Sequence, residues 1–142
     1  MVTPKAIYSN NIEDLSYCFY ASGSISPELL HNCSNIKKLT YAFAYCMTDT
    51  IPEELFIKNT KIENIEAAFS STSYKKVPSN LFDSFSKNLK NCTYCFYHCI
   101  NISTSLPDVW NKEKFPNVTS HDEYAFMCEK AANYNEIPEG YK

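Results

Sequence analysis

Five stretches of the chain carry the same order of apolar and polar positions: "NIEDLSYCFYAS" (11–22), "NIKKLTYAFAYC" (35–46), "KIENIEAAFSST" (61–72), "NLKNCTYCFYHC" (88–99) and the looser "NVTSHDEYAFMC" (117–128). They align on Phe19, Phe43, Phe69, Phe96 and Phe126, spaced by 24, 26, 27 and 30 residues. Seven and four residues before the first four Phe stand Ile12/Leu15, Ile36/Leu39, Ile62/Ile65 and Leu89/Cys92. Offsets of −7, −4, 0 and +3 trace one face of an α-helix, so each unit is expected to open with a helix of two to three turns. The leading Asn, as at Asn35 and Asn88, suits a helix N-cap because its side-chain oxygen can accept a free first-turn amide.

A second anchor follows each Phe after 8 to 12 residues: Pro27, Pro52, Pro78, Pro107 and Pro138, with Leu30, Leu55, Leu81, Trp110 and Tyr141 three residues later. The stretch before the Pro reads as a short strand, as in "NISTSL" (101–106), since proline pushes its predecessor to extended geometry. "PEELF" and "PSNLF" fit Pro at the first position of a short helical turn. A unit of one helix and one short strand cannot bury its apolar face alone, whereas stacked copies can. The expected fold is therefore an α/β repeat solenoid of about five 24–30-residue coils, each with a helix and a short strand. The coils span 11–34, 35–60, 61–87, 88–116 and 117–142, the last acting as a C-terminal cap. Residues 1–10 are expected to cap the other end, with Ile7 and Tyr8 packing there.

Composition narrows the function. The net charge is −3 and all 13 basic residues are Lys, scattered along the chain. Nucleic-acid binding needs a clustered cationic footprint, which this sequence lacks. Residues 1–20 show no charged start followed by an apolar run, and no stretch is long enough to span a bilayer. An extracellular, cell-surface or virion location is therefore expected to depend on a signal on another segment or on another route out of the cell. Seven cysteines cannot all pair within one molecule.

The segment 91–99 holds Cys92, Cys95, His98 and Cys99, and so raises a metal site or a redox motif. The repeat gives a simpler reading. Cys95 occupies the slot before Phe that holds Cys18, Ala42, Ala68 and Ala125 elsewhere; Cys92 replaces Leu15, Leu39 and Ile65; Cys99 replaces Ser22, Cys46 and Thr72. A buried Cys acts there as a small hydrophobe, and zinc would need ligands converging from separate elements. No cofactor or metal is expected. Catalysis is not expected either: His31, His98 and His121 fall in different repeats, and only two glycines are present for a phosphate-cradling loop.

Tyrosine is the candidate binding residue. Tyr17, Tyr41, Tyr94 and Tyr124 share the slot two before Phe, and Tyr20, Tyr45 and Tyr97 decorate the next turn. Two readings stay open: packing between coils with the hydroxyl at the surface, or an aromatic ladder that stacks on sugars or grips a protein. Tyr17, Tyr41, Tyr94, Tyr97, His98 and Tyr124 are the candidates on that ladder. Thr48, Thr50, Lys75, Lys76 and Thr104, which flank the expected strands, are candidates for a binding sheet face.

"NIKKLTYAFAYC" and "NLKNCTYCFYHC" resemble the core of BspA-like leucine-rich repeats, with the Phe, the trailing Cys and the preceding apolar pair matching at Phe43/Cys46 and Phe96/Cys99. "IPEELF" and "VPSNLF" look like units of relatives in bacterial surface proteins and phage tail proteins. The third unit departs from that pattern at Ala67 and Thr72; the fifth gains a residue before Phe126 and puts Cys128 at +2. The resemblance implies a non-catalytic recognition or adhesion module, exposed on a cell or virion surface and binding a protein or glycan receptor. The alternative is an architectural spacer or capping domain of a larger assembly.

Overall fold

The computed structural model describes residues 3–142. It overturns the expected α/β solenoid of helix and strand. Among the described residues there is no α-helix and no multi-residue strand; three short 3-10 helices, Asp83–Phe85, Tyr134–Glu136 and Glu139–Tyr141, are the only regular elements. The coils exist as a hydrogen-bonded stack of turns.

The segment expected to be helical is a run of consecutive tight turns. In coil 1 the amides of Cys18, Tyr20 and Ser22 donate to the carbonyls three residues back, those of Leu15, Tyr17 and Phe19. The amides between them leave the coil: Leu15, Tyr17, Phe19 and Ala21 donate to Lys38, Thr40, Ala42 and Ala44 of coil 2 at 2.8–3.0 Å. An α-helix would satisfy all of these amides within its own segment. Here every other one ties a coil to its neighbour, and the same exchange recurs in coils 2, 3 and 4, as in Phe43 to Ala68, Phe69 to Cys95 and Phe96 to Tyr124.

The turns need left-handed backbone at every fourth residue. Tyr17, Ala21, Tyr41, Tyr45, Ala67, Ser71, Tyr94, His98, Glu123 and Met127 all have φ between 49° and 64°, and none is glycine. Left-handed geometry costs an L-residue roughly 1–2 kcal/mol. The inter-coil amide bonds offset it.

The strand expectation fails in the same way. Pairing between coils is confined to isolated parallel bridges, Asp14 with Lys38, Lys38 with Asn64, Asn64 with Asn91, Asn91 with Ser120, Thr50 with Lys76, and Tyr8 with Asn32. "NISTSL" forms no strand: the Ser103 amide and hydroxyl both donate to the Lys75 carbonyl, and the Thr104 side chain donates to the Val77 carbonyl at 3.0 Å and accepts its amide at 2.8 Å. Toward coil 5 the Thr104 carbonyl accepts the Ala132 amide, and Leu106 exchanges two bonds with the Asn133 side chain. The Pro anchors do open turns: Leu55 bonds back to Pro52, Leu81 to Pro78 and Tyr141 to Pro138. The leading asparagines cap no helix. Asn35, Asn88 and Asn117 instead donate their side-chain amides to Asn10, Thr60 and Lys87 carbonyls of the preceding segment.

The core runs along the stack. Phe19, Phe43, Phe69 and Phe96 lie ring over ring at 5.2, 5.4 and 5.7 Å with planes within 12° of parallel. The carbonyl of a Phe often meets the small residue that trails the next one: the thiols of Cys46, Cys99 and Cys128 donate to Phe19, Phe69 and Phe96 oxygens. Thr72 turns its hydroxyl to its own Phe69 carbonyl. At the start of the described chain Ile7 packs against the core, but Tyr8 is 80% exposed, so only one of the two expected capping residues packs.

Coil 5 sits one residue away from the expected register. The bridge partner of Asn91 is Ser120, and left-handed Glu123 and Met127 take the positions of Tyr94 and His98. Ala125 therefore occupies the Phe slot, Cys128 falls at +3 like Cys99, and Phe126 moves to the surface slot of Tyr97. Tyr124 fills the core in place of the missing Phe ring: it packs edge-on to Phe96 at 5.5 Å, and its hydroxyl donates to the Pro107 carbonyl at 2.9 Å.

Candidate functional site

The turn geometry sorts the side chains off the Phe-stack face into columns, of which Ala44, Ala67 and Ser70 are buried and the rest are half-buried or exposed. The first is Tyr17, Tyr41, Ala67, Tyr94 and Glu123, all left-handed. The second is Tyr20, Ala44, Ser70, Tyr97 and Phe126. The third, again left-handed, is Ala21, Tyr45, Ser71, His98 and Met127. A left-handed residue cannot continue the inward run, so most rings in these columns face outward: Tyr17 is 57% exposed, Tyr45 46% and Tyr94 37%.

The rings form two groups. Over coils 1 and 2, Tyr17 lies parallel to Tyr41 at 5.2 Å, and Tyr20 meets both Tyr17 at 6.2 Å and Tyr45 at 5.2 Å. Over coils 4 and 5, Tyr97 meets Tyr94 edge-on at 5.6 Å and lies parallel to His98 and Phe126 at 4.8 and 5.1 Å. Coil 3 separates them, because it alone brings Ala67, Ser70 and Ser71 to all three columns. The result is a cleft of about 260 Å³ with Tyr41 and Tyr45 on one side, Tyr94 and Tyr97 on the other, the two serines between them and Glu123 at the coil 5 end.

The electrostatics of the cleft are one-sided. No basic side chain lines it. Burial is the first cause that raises the Tyr41 hydroxyl above its usual range, followed by the neighbouring Tyr17 and the Glu66 carboxylate. The Ser70 hydroxyl lies 3.3 Å from that of Ser71 and 3.4 Å from the Tyr97 carbonyl oxygen. Both contacts are long, leaving the hydroxyl free to serve a better partner.

The other candidates divide. Tyr124 is fully buried and lies in the core, the consequence of the coil 5 register. His98 is exposed beside Tyr97. Thr50, Lys76 and Thr104 line a second, wider hollow of about 580 Å³ on another part of the coils. Lys75 pairs with Asp49 at 3.3 Å, and the Thr48 carbonyl accepts the Ser73 hydroxyl. Tyr45, Ser70, Ser71 and Glu123 are cleft residues missing from the expected set. The signal for them is a subtraction: the coil that loses its rings lies between coils that keep them.

Comparison with family models, curated proteins and solved structures finds no match. The chemistry of the chain has to be read from its own geometry.

The cysteines of residues 91–99 belong to the core. Cys92, Cys95 and Cys99 are fully buried. Burial pushes the Cys92 thiol up to about 12 and that of Cys99 up to about 11, and holds Cys95 and Cys128 well above their ordinary value. Such thiols stay protonated at neutral pH, and the thiolate is the nucleophilic and metal-binding form. Among the described residues no group of three or more His, Cys, Asp or Glu side chains converges as metal ligands. His31 and His121 each hold a backbone carbonyl, of Glu54 at 2.8 Å and Gly140 at 2.9 Å. No helix among the described residues is long and apolar enough to cross a membrane.

Proposed function

We propose that the chain is a non-catalytic recognition module that holds a protein or glycan receptor through its tyrosine columns, at a cell or virion surface, as in an adhesin or a phage-tail receptor-binding part. The observation that carries this reading is the pair of exposed ring stacks on successive coils. Tyrosine offers a large amphipathic contact at low conformational-entropy cost, and aromatic side chains dominate binding hot spots. Rings standing in water gain nothing for the fold by their outer faces; a partner that covers them recovers about 25 cal/mol per Å² of apolar surface. The motif resemblance to BspA-like repeats supports the same class of function.

The test is binding to cells and to protein and glycan arrays by the native chain and a Tyr17→Ser/Tyr20→Ser/Tyr45→Ser variant. Specific binding that falls at least roughly tenfold in the variant, with unchanged thermal unfolding, is the expected result. Binding that is absent in the native chain, or insensitive to the three changes, would favour the architectural alternative, a spacer or cap within a larger assembly.

A further inference from the structure

The gap at coil 3 has the form of a missing ring. Tyr41 is stacked on one side by Tyr17 of coil 1, so its other side looks along the stack toward coil 3. Tyr97, one column over from Tyr41, lies parallel to His98 of its own coil at 4.8 Å and to Phe126 of coil 5 at 5.1 Å. These two are 6.1 Å apart and so share one side of the ring, which leaves its other side toward coil 3. Coils 2 and 4 are two steps apart, about 10 Å at ~4.8 Å per step. A flat group midway stands about 5 Å from each coil, close to the 5.2 Å that the molecule's own Tyr17 and Tyr41 rings keep.

We propose that this gap is a subsite for one uncharged pyranose ring of a glycan; the inference rests on the recognition reading above and names its ligand class. The volume, about 260 Å³, suits a single ring and is small for a larger ligand. A pyranose presents axial C–H groups on its faces, and these meet the negative face of an aromatic ring favourably. Its rim of hydroxyls both donates and accepts, matching the Ser70 and Ser71 hydroxyls and the Glu123 carboxylate.

Competing guests fit less well. A phenyl or indole ring from a protein would stack, yet its apolar edge would leave the serine hydroxyls and Glu123 desolvated without partners. A quaternary ammonium would gain from the ring faces and Glu123, but it makes no hydrogen bond and would bury the two serine hydroxyls unpaired. A sialic or uronic acid would bring a carboxylate against Glu123, with no basic side chain in the cleft to offset it.

The experiment is an amide-resolved NMR titration of the intact chain. The probes are neutral trisaccharides with gluco, galacto, manno and N-acetylglucosamine units, beside 3′-sialyllactose, tetramethylammonium and N-acetyltyrosinamide. The expected result is a saturable shift of the Ser70 and Ser71 amides by at least one neutral trisaccharide. Tyr41→Ala, which removes one wall, should weaken it roughly tenfold. Ser70→Tyr, which restores the ring that the same column has at Tyr20 and Tyr97, should abolish it. Lys58→Ala, an exposed change outside the cleft, should leave it within about twofold. Should Ser70→Tyr fail to fold, Tyr41→Ala still decides. Silence of the Ser70 and Ser71 amides to every neutral sugar would overturn the proposal. So would a stronger response to any of the three other probes. If the gap is silent while array or cell binding persists and depends on Tyr17, Tyr20 and Tyr45, the subsite falls and the recognition reading stands. If both are silent, both fall.

Discussion

At the scale of single residues the unusual feature is left-handed backbone carried by Tyr, Ala, Ser, His, Glu and Met, while neither glycine of the chain is left-handed. Side chains are kept there despite the strain, and at Tyr17, Tyr45 and Tyr94 those side chains are the exposed rings. The strain gives a test with an inverted sign. Ala→Gly within regular structure ordinarily costs roughly 0.5–1 kcal/mol. Ala21, exposed at φ 58°, should instead gain stability by up to about 1 kcal/mol on Ala21→Gly, because glycine removes the left-handed penalty. Ala42→Gly, at a buried position without positive φ, should lose stability. Urea unfolding of the two variants reads the difference, and a loss of stability in both would contradict the strained-turn account.

At the scale of the coil, the inward face was legible and the backbone was not. Ile36, Leu39, Phe43 and Cys46 are all fully buried, as the −7, −4, 0 and +3 offsets require. That pattern could not distinguish a helix from chained turns, because a left-handed residue every four positions returns side chains inward with nearly the helical period of 3.6. What separates the two is the destination of the amides, a contact between coils that no single segment encodes. The coil 5 register had a readable signal. Asn88 to Asn117 and Cys99 to Cys128 are both 29 residues apart, whereas Phe96 to Phe126 is 30. The Asn and Cys spacings are the true ones, since the Phe ring's place was ceded to Tyr124. The consequence for stability is asymmetric. Phe96→Ala should cost about 3–5 kcal/mol, as for other fully buried aromatics. Phe126→Ala, on a 36% exposed ring, should cost less than about 1 kcal/mol. Equal losses in calorimetry would return Phe126 to the core.

At the scale of the whole molecule, the stacked core sets an alkaline limit. Cys92, Cys95, Cys99 and Cys128 and the buried Tyr74 and Tyr124 hydroxyls all have acidities shifted upward by burial. A group that keeps its proton in the folded chain and releases it more readily when unfolded lends full stability below its unfolded value and loses it as pH rises. For Cys92 the window runs from the ordinary thiol value of 9.0 up to about 12. Within that window each such thiol should remove about 1.4 kcal/mol per pH unit. Urea midpoints measured from pH 7 to 10.5 should therefore be flat at first and fall steeply above about pH 9. A flat profile to pH 10.5 would mean that the thiols are reached by water. Ion pairs between coils, such as Lys37 with Glu13 and Lys90 with Glu63, are 43–61% exposed and lend little to the profile.

From Leu15 to Ala21, and at the matching positions of coils 2, 3 and 4, every inter-coil amide points from a coil to the one after it. The Lys37, Lys38, Glu63, Asn64, Lys90, Asn91, Thr119 and Ser120 amides just before these runs point back. The segment is thus polar along the stack. On its first edge the carbonyls of Asp14, Ser16, Cys18 and Tyr20 accept no backbone amide among the described residues, so the run offers acceptors there. The Glu13 and Asp14 amides, counterparts of the back-pointing Lys37 and Lys38 amides, stand at its head. At the far edge the Ala125 amide is already taken by the Tyr141 carbonyl. Two copies brought together by a two-fold axis at the first edge would set acceptor against acceptor. Head-to-tail growth would lose that donor to the 139–141 turn but keep the His121, Glu123 and Met127 amides, which have no backbone acceptor among the described residues. The run is one-way: its first edge suits a segment that brings donors, which a two-fold copy of the same run does not.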